Sequence, residues 1–405
     1  MTQFLALVVA AACTAIALAQ PRSDWSQWRG AQRDGLSRLT IPAAWPATLK
    51  KRWEVAVGLG HSSPVVSGSR VVLHSRQGDR EIVRALDLTT GQEIWRNDYP
   101  APYAVNPAAS GHGPGPKSTP AVTDGRVFTL GISGILSAID VTTGKLLWRH
   151  AGPQAPPEFG TAMSPIVEDT MVIVHRGAND KGTLVAYDVA TGKQRWEWAG
   201  DGPAYASPIV SAVDGVRQLI TQSENAVIGV EVATGKLLWQ VPFKTNFDQN
   251  SITPVVVRDL VIYSGLEGGT AALRIGRNGA AWTARQVWRN EQVSMYMSSP
   301  VISGETLYGL SHRNRGQFFA MELAAGKTLW TTPGREGENA SLMVAGPLLL
   351  LSTTNAELIV ARADAAKFDE VKRYTVAGSA VWAHPAIAGT AILVKDVDKL
   401  ICWDV

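Results

Sequence analysis

Apolar and polar residues recur along this chain in one short phrase rather than in helical periods. The cleanest copy is Ala138-Ile139-Asp140-Val141-Thr142-Thr143-Gly144-Lys145-Leu146-Leu147-Trp148. Small and apolar residues run up to an acid, a Thr-Gly pair follows, and a second apolar run ends on tryptophan. Further copies occupy residues 85–95, 186–196, 229–239 and 320–330. The phrase predicts a strand, a tight turn and another strand, because glycine adopts the positive φ of such a turn without the steric cost of a side chain. A second marker is a small hydroxyl residue followed by proline and an apolar run. It occurs at Ser63-Pro64, Thr119-Pro120, Ser164-Pro165, Ser207-Pro208, Thr253-Pro254 and Ser299-Pro300, with Ala340-Ser341 and His384-Pro385 as variant copies. Proline is tolerated at the first residue of a strand, where no ladder hydrogen bond is lost. Each unit therefore reads strand-strand-strand-turn-strand, and such a unit repeated every 40–50 residues means a propeller or a solenoid.

The repeated aromatic positions count the units. They are Trp53, Trp95, Trp148, Trp196, Trp239, Trp288 and Trp330, with Tyr374 at the next place, and subtraction gives separations of 42 to 53 residues. A ring that can bury about 150–250 Å² at a fixed place in every repeat reads as a wedge docked between neighbouring repeats. The last unit, Lys399-Leu400-Ile401-Cys402-Trp403-Asp404-Val405, lacks its turn and final strand, while Lys51-Arg52-Trp53-Glu54-Val55 is a strand without a unit. Pairing the two closes a ring and removes exposed sheet edges. The prediction is an all-β, eight-bladed propeller of four-stranded antiparallel blades over residues 51–405, closed by an N-terminal strand. Two blades depart from the phrase, one at Ala272-Leu273-Arg274 with an insertion before Trp288, the other with Asp364 displaced and Tyr374 for tryptophan. These are predicted to be the least regular.

Ahead of the repeats, residues 1–20 carry no Lys, Arg, Asp or Glu, residues 4–10 form an apolar core, and Ala17-Leu18-Ala19 fits a small-x-small cleavage site. A signal peptide over 1–19, cleaved near Ala19, predicts a periplasmic or secreted protein. Cys13 follows three alanines as a lipid-attachment cysteine would, but the apolar residues 14–18 after it argue against lipidation. Residues 20–50, with Trp25, Trp28, Arg29 and Arg33 among glycines, read as an extended leader lying on the surface of the main body. Removal of the signal peptide leaves Cys402 as the one cysteine, so no internal disulfide is expected. No apolar run after Gln20 is long enough to span a membrane. The formal charge of +3 is spread without a Lys/Arg cluster, which gives no support to a nucleic-acid partner.

The Ala-x-Asp-x-x-x-Gly-Lys-x-x-Trp phrase resembles the tryptophan-docking motif of the pyrroloquinoline-quinone (PQQ) type β-propellers, and the resemblance covers residues 53–405. The opening Asp24-Trp25-Ser26-Gln27-Trp28-Arg29-Gly30 is similar to the leader of secreted bacterial PQQ-like repeat proteins. The resemblance implies one of two kinds of protein, and the fold does not choose between them. Quinoprotein dehydrogenases oxidise alcohols or sugars with PQQ and calcium. Other members bind no cofactor and act as scaffolds, as does the propeller lipoprotein of the outer-membrane β-barrel assembly machinery. The enzymes need carboxylate and amide oxygens around a hard cation, and several carry a disulfide between adjacent cysteines under the cofactor. This chain has no Cys-Cys pair, and Asp248 beside Asn250 and Glu336 and Glu338 beside Asn339 read as loop polarity.

A propeller's binding surface is expected over its central channel, on the loops just ahead of each hydroxyl-proline marker. Those positions are His61, Lys117, Met163, Tyr205, Asn250, Tyr296, Asn339 and Trp382, joined by His384 and by His112 in the Gly/Pro-rich loop 103–117. The set is polar and aromatic, as a binding rim would be. His61, His112, His312 and His384 show no metal-ligand spacing, so no metal is predicted, and no nucleophile motif or catalytic residue stands out. The expectation is a binding scaffold for envelope proteins or a small-molecule ligand, with no cofactor. The alternative is a PQQ- and calcium-dependent oxidoreductase with His61, Lys117, Asn250 and Trp382 near the cofactor.

Overall fold

The computed structural model describes residues 25–405, so the signal-peptide and Cys13 readings lie outside the described residues. The strands form eight four-stranded antiparallel sheets, seven of them in chain order and the eighth with the first strand of the chain at one edge. The first blade is built of Val65–Ser67, Arg70–Gln77, Arg80–Asp87 and Glu93–Pro100. The eighth takes Ala386–Ala388, Ala391–Lys395 and Lys399–Asp404 from the end of the chain and Lys50–Ala56 from its beginning. Trp53 pairs with Cys402 across that closure, and Arg52 forms an ion pair with Asp404 beside it. The predicted ring, blade number and closure are all present.

The repeated phrase does two jobs. Within a blade, Asp140 folds the turn, its Oδ1 accepting hydrogen bonds from the Thr142 and Thr143 N–H groups at 3.0 and 2.7 Å and from the Thr143 hydroxyl at 2.8 Å. Between blades, the indole N–H of every docking tryptophan but Trp239 reaches the turn of the next repeat. Trp53 donates to the Leu88 carbonyl at 3.0 Å, Trp95 to Val141 at 2.9 Å, Trp148 to Val189 at 3.1 Å and Trp196 to Val232 at 2.9 Å. Gly144, with φ +71°, lies flat against the Trp95 ring, where a Cβ would sit 2.7 Å from the indole. That glycine is required twice, for its backbone and for the close approach.

The hydroxyl-proline marker has a different role. The Thr119 N–H donates to Ser164 Oγ at 3.0 Å, Ser164 N–H to Ser207 Oγ at 2.9 Å, and Thr253 N–H to Ser299 Oγ at 3.1 Å. The His384 N–H donates to Ser63 Oγ at 2.8 Å, joining the last blade to the first. Amides facing the channel have no ladder partner there, and a hydroxyl from the next blade satisfies them instead.

The two atypical blades depart from expectation. The fifth is not ragged: Thr270–Asn278 and Ala281–Asn290 form a long hairpin, and it keeps the register shift that other blades have at this place. Because that blade lacks the Asp-Thr-Gly turn, Trp239 has no such turn to dock on and donates to Gln218 Oε1 of its own blade at 2.7 Å. In the seventh, Tyr374 donates its hydroxyl to the Pro46 carbonyl at 2.7 Å, tying the ring to the leader.

The leader itself does not lie on the surface. Arg29 and Arg33 are completely buried, and the segment crosses the channel. Trp25 and Ser26 carbonyls accept from the Val66 and Val122 N–H groups, both at 2.8 Å, and Val344 pairs with Gly35 and Ser37. Arg33 donates to the carbonyls of Ser164, Pro165 and Pro208, Arg29 to that of Pro300, Trp28 to Thr253 Oγ1, and the Thr40 N–H to the Gly389 carbonyl. This one strand of chain thereby bonds to all eight blades. Burial lowers the Arg29 and Arg33 guanidinium pKa values to about 10 and about 9, which leaves both cationic at neutral pH.

Candidate functional site

With the leader closing the channel, the opposite mouth becomes a blind cavity of about 410 Å³, and Trp28 forms part of its floor. Of the residues predicted for the rim, His61, His112, Lys117, Tyr205, Tyr296, Asn339, Trp382 and His384 line it. Asn250 does not and is a correction. It is fully buried below the rim, its amide nitrogen donating to the Ser223 and Phe243 carbonyls at 2.9 Å and its Oδ1 accepting from the Thr245 hydroxyl at 3.0 Å. An amide so fully engaged holds loops together and offers nothing to a ligand. Met163 is likewise packed into the core between the second and third blades.

Other lining residues escaped the sequence reading: Trp28, Phe159, Phe247, Leu266 and Met297. Phe159 and Phe247 stand five and six positions ahead of Ser164 and Thr253, so a search of the loops further upstream than one residue would have found them. Phe247, at φ +59° and 70% exposed, is the most exposed large apolar side chain among the described residues.

Loop 103–117 roofs one side. It contains a short 3-10 helix, Pro107–His112, whose first N–H groups are met by Asn106, and its Pro116 carbonyl accepts from the His61 and Ser62 N–H groups at 2.9 and 3.0 Å. Gly115 packs so closely on Gly60 that a side chain at either would collide with backbone. The glycines here serve a close backbone approach as well as span the longer gap.

The wall carries an aromatic cluster. The His112 and Trp382 rings meet edge to face with centroids 4.6 Å apart, and His61 lies 5.5 Å from His112 and 5.9 Å from Trp382. His384 stacks on Trp25 at 5.7 Å and meets Trp28 edge-on at 5.6 Å. Burial pushes the imidazoles of His61 and His384 down to about 3 and about 4, so both are neutral. His384 Nδ1 lies 2.9 Å from the Pro385 carbonyl, which can only accept, so Nδ1 carries the proton and Nε2 keeps a lone pair. Nε2 of His384 and Nε2 of His61 are both buried without a partner. Lys117 donates to the Phe159 carbonyl at 2.8 Å, and burial lowers its ammonium to about 8. A shallower depression of about 660 Å³ adjoins this cavity across His112, Tyr296 and Trp382, and Arg315, Arg335 and Glu338 border it.

These residues do not fit PQQ with calcium. A calcium ion takes about six to eight oxygen ligands, carboxylates prominent among them. No Asp or Glu lines the channel cavity, and among the described residues no cluster of three His, Cys, Asp or Glu is arranged to hold a metal. Cys402 is a buried core thiol whose pKa burial raises to about 11.

Ring, docking pattern and closure together define a PQQ-type β-propeller. The family described as outer membrane protein assembly factor BamB matches residues 79–332, and the chain belongs to that family. It is 24% identical to outer membrane protein assembly factor BamB of Yersinia pestis over 364 residues, which covers 85% of this chain and 86% of that protein. Among solved structures, BamB from Moraxella catarrhalis aligns with a TM-score of 0.64 at 16% identity, over 89% of this chain and 98% of that one. Quinohemoprotein alcohol dehydrogenase from Comamonas testosteroni aligns with a TM-score of 0.69 at 14% identity, over 94% and 80%. At such identities both structures report a shared fold.

Proposed function

We propose that this chain is a periplasmic binding scaffold for outer membrane protein assembly, with envelope proteins as its partners and no catalysis of its own. The observation that carries the reading is the mouth of the channel. It is a blind, aromatic cavity whose buried His61 and His384 are neutral, whose single lysine donates to a backbone carbonyl, and which no carboxylate enters. Family membership supports the same reading. Binding surfaces of this kind work through buried aromatic anchors, and Phe247, Tyr296 and Trp382 stand at the mouth to supply them. No helix among the described residues is long and apolar enough to cross a membrane.

The test has two arms. A photo-crosslinking residue in place of Phe247, activated in living cells, is expected to capture outer-membrane assembly proteins. PQQ titrated into the mature chain, with calcium and with chelator, is expected to leave Tm unchanged. Saturable, calcium-dependent PQQ binding, which would raise Tm by mass action, together with dye-linked oxidation of alcohols or sugars, would overturn the proposal.

A further inference from the structure

The depression beside the channel cavity is walled by two loops that hold two arginines toward it. Arg313–Arg315 form a short 3-10 turn between the second and third strands of the sixth blade, and residues 333–339 lead from that blade into the seventh. The Arg335 N–H donates to the Asn314 carbonyl at 2.9 Å and the Glu336 N–H to that of Gly316 at 3.1 Å, so the loops are tied backbone to backbone. A Cβ on Gly316 would sit 2.0 Å from the Gly337 carbonyl oxygen. Arg315 and Arg335 both adopt left-handed backbone, with φ +61° and +67°. That conformation carries a steric penalty for any side chain, and such outliers cluster where a protein binds something. Both arginines line the depression, and among the described residues neither guanidinium has an ion pair or a hydrogen bond. Their neighbours are occupied: Arg313 donates to the Glu291 carbonyl at 2.7 Å, and Glu336 pairs with Arg373 at 3.4 Å. Glu338 is the one acid in the lining, so guanidiniums outnumber carboxylates there by one.

The wall toward the channel adds Tyr296, Met297 and Trp382. Aromatic residues, methionine and arginine are the side chains enriched where proteins meet, and tryptophan, tyrosine and arginine supply most hot spots. The planar fork of a guanidinium is matched by a carboxylate, which it binds through two parallel N–H donors. A recess of about 660 Å³ admits side chains, whereas a lipid surface presents headgroups in a plane. We infer that this depression receives an acidic segment of a partner protein, an Asp or Glu carboxylate on Arg315 and Arg335 and a neighbouring aromatic side chain on Trp382 and Tyr296. The inference rests on the reading of the channel mouth as a docking face for envelope proteins, and it adds the chemistry of the segment docked.

The experiment is fluorescence anisotropy of the mature chain with a peptide that holds two glutamates beside a phenylalanine, dye-labelled at its N-terminus and amidated at its C-terminus. Companion peptides replace the glutamates by glutamine or the phenylalanine by serine. The expected result is saturable one-to-one binding that weakens with salt, and a loss of about tenfold or more with either companion. A like loss is expected for the double variant Arg315→Gly, Arg335→Gly. Glycine relaxes the left-handed backbone, so this variant is expected to keep the Tm of the unmutated chain. The comparison of three peptides on the unmutated chain needs no variant. Absence of saturable binding, equal binding of all three peptides, or full binding by the double variant overturns the inference. So does sedimentation with phosphatidylglycerol vesicles that the double variant loses while the peptide never binds, which would assign the arginines to a lipid surface. The crosslinks from position 247 separate the two ideas. If they form while the peptide fails, the scaffold stands and the acidic-segment site falls. Peptide binding without those crosslinks keeps the site and removes the assembly proteins as partners.

Discussion

The circumference of the ring and its channel are held by opposite strategies. Around the circumference one local solution recurs: an Asp-capped turn, a positive-φ glycine, and a tryptophan from the preceding blade laid on it with its N–H on a carbonyl. Each such contact involves two neighbouring blades and nothing else. The channel is held once, by residues 25–40, which bond to every blade and bury two arginines against backbone carbonyls. Repetition spreads stability over many equivalent joints, as in other repeat architectures. A single hub concentrates it, so one side chain there touches blades that are far apart in sequence.

Substitutions can break this comparison. The largest effect is expected for Trp196→Ala, which removes a nearly buried ring and its hydrogen bond to Val232; truncation of a core aromatic costs about 3–5 kcal/mol, read as a lower denaturant midpoint. Trp239→Ala sharpens it, because its N–H bond lies within its own blade, and a smaller loss of cooperativity between blades is expected. Next comes Arg33→Met, which strips donors from carbonyls of the third and fourth blades; each buried group left unpaired costs about 1–3 kcal/mol. Arg29→Met is expected to cost less, since its Nε and Nη1 have no partner to lose. Should Arg33→Met prove as mild as a surface substitution, the hub is not a structural element of the ring.

Smaller again is Ser164→Ala. It deletes one link of the hydroxyl belt, the acceptor for the Thr119 N–H, for about 1 kcal/mol in the same denaturation experiment. The smallest effect concerns the turns. The Thr191 N–H and hydroxyl, with Arg195, hold the Asp188 carboxyl at about 2, below its unfolded value of about 3.9. A depressed carboxylate stabilises above the unfolded pKa and loses that contribution as pH falls through the folded one. Tm should therefore drop between about pH 4 and pH 2, and Asp188→Asn should flatten that part of the profile. An unchanged profile would mean that these exposed turns add nothing to the ring.

Part of the site was legible before the fold was known. Six of the eight positions ahead of a hydroxyl-proline marker line the cavity, as do His112 and His384, because the strand that follows each marker carries the residues before it to the channel mouth. Asn250 failed because the loop before it tucks the amide inward to satisfy three backbone carbonyls, an outcome set by neighbours at 223, 224 and 243. Phe159 and Phe247 were missed because loop length, rather than strand register, places them.

The sequence by itself determined what recurs: blade number, antiparallel strands, the docking tryptophans and the closure between Trp53 and Cys402. Those follow from short-range rules, period two in strands and positive φ at Thr-Gly turns, which act alike in every copy. Only the tertiary structure decided where the leader goes, and hence that the channel is a blind cavity floored by Trp28. Two arginines in a glycine-punctuated segment look like surface residues until strand starts around the ring bring the carbonyls of Ser164, Pro165, Pro208 and Pro300 to them. That ring exists only once the propeller has closed, and it is what makes burying Arg33 favourable.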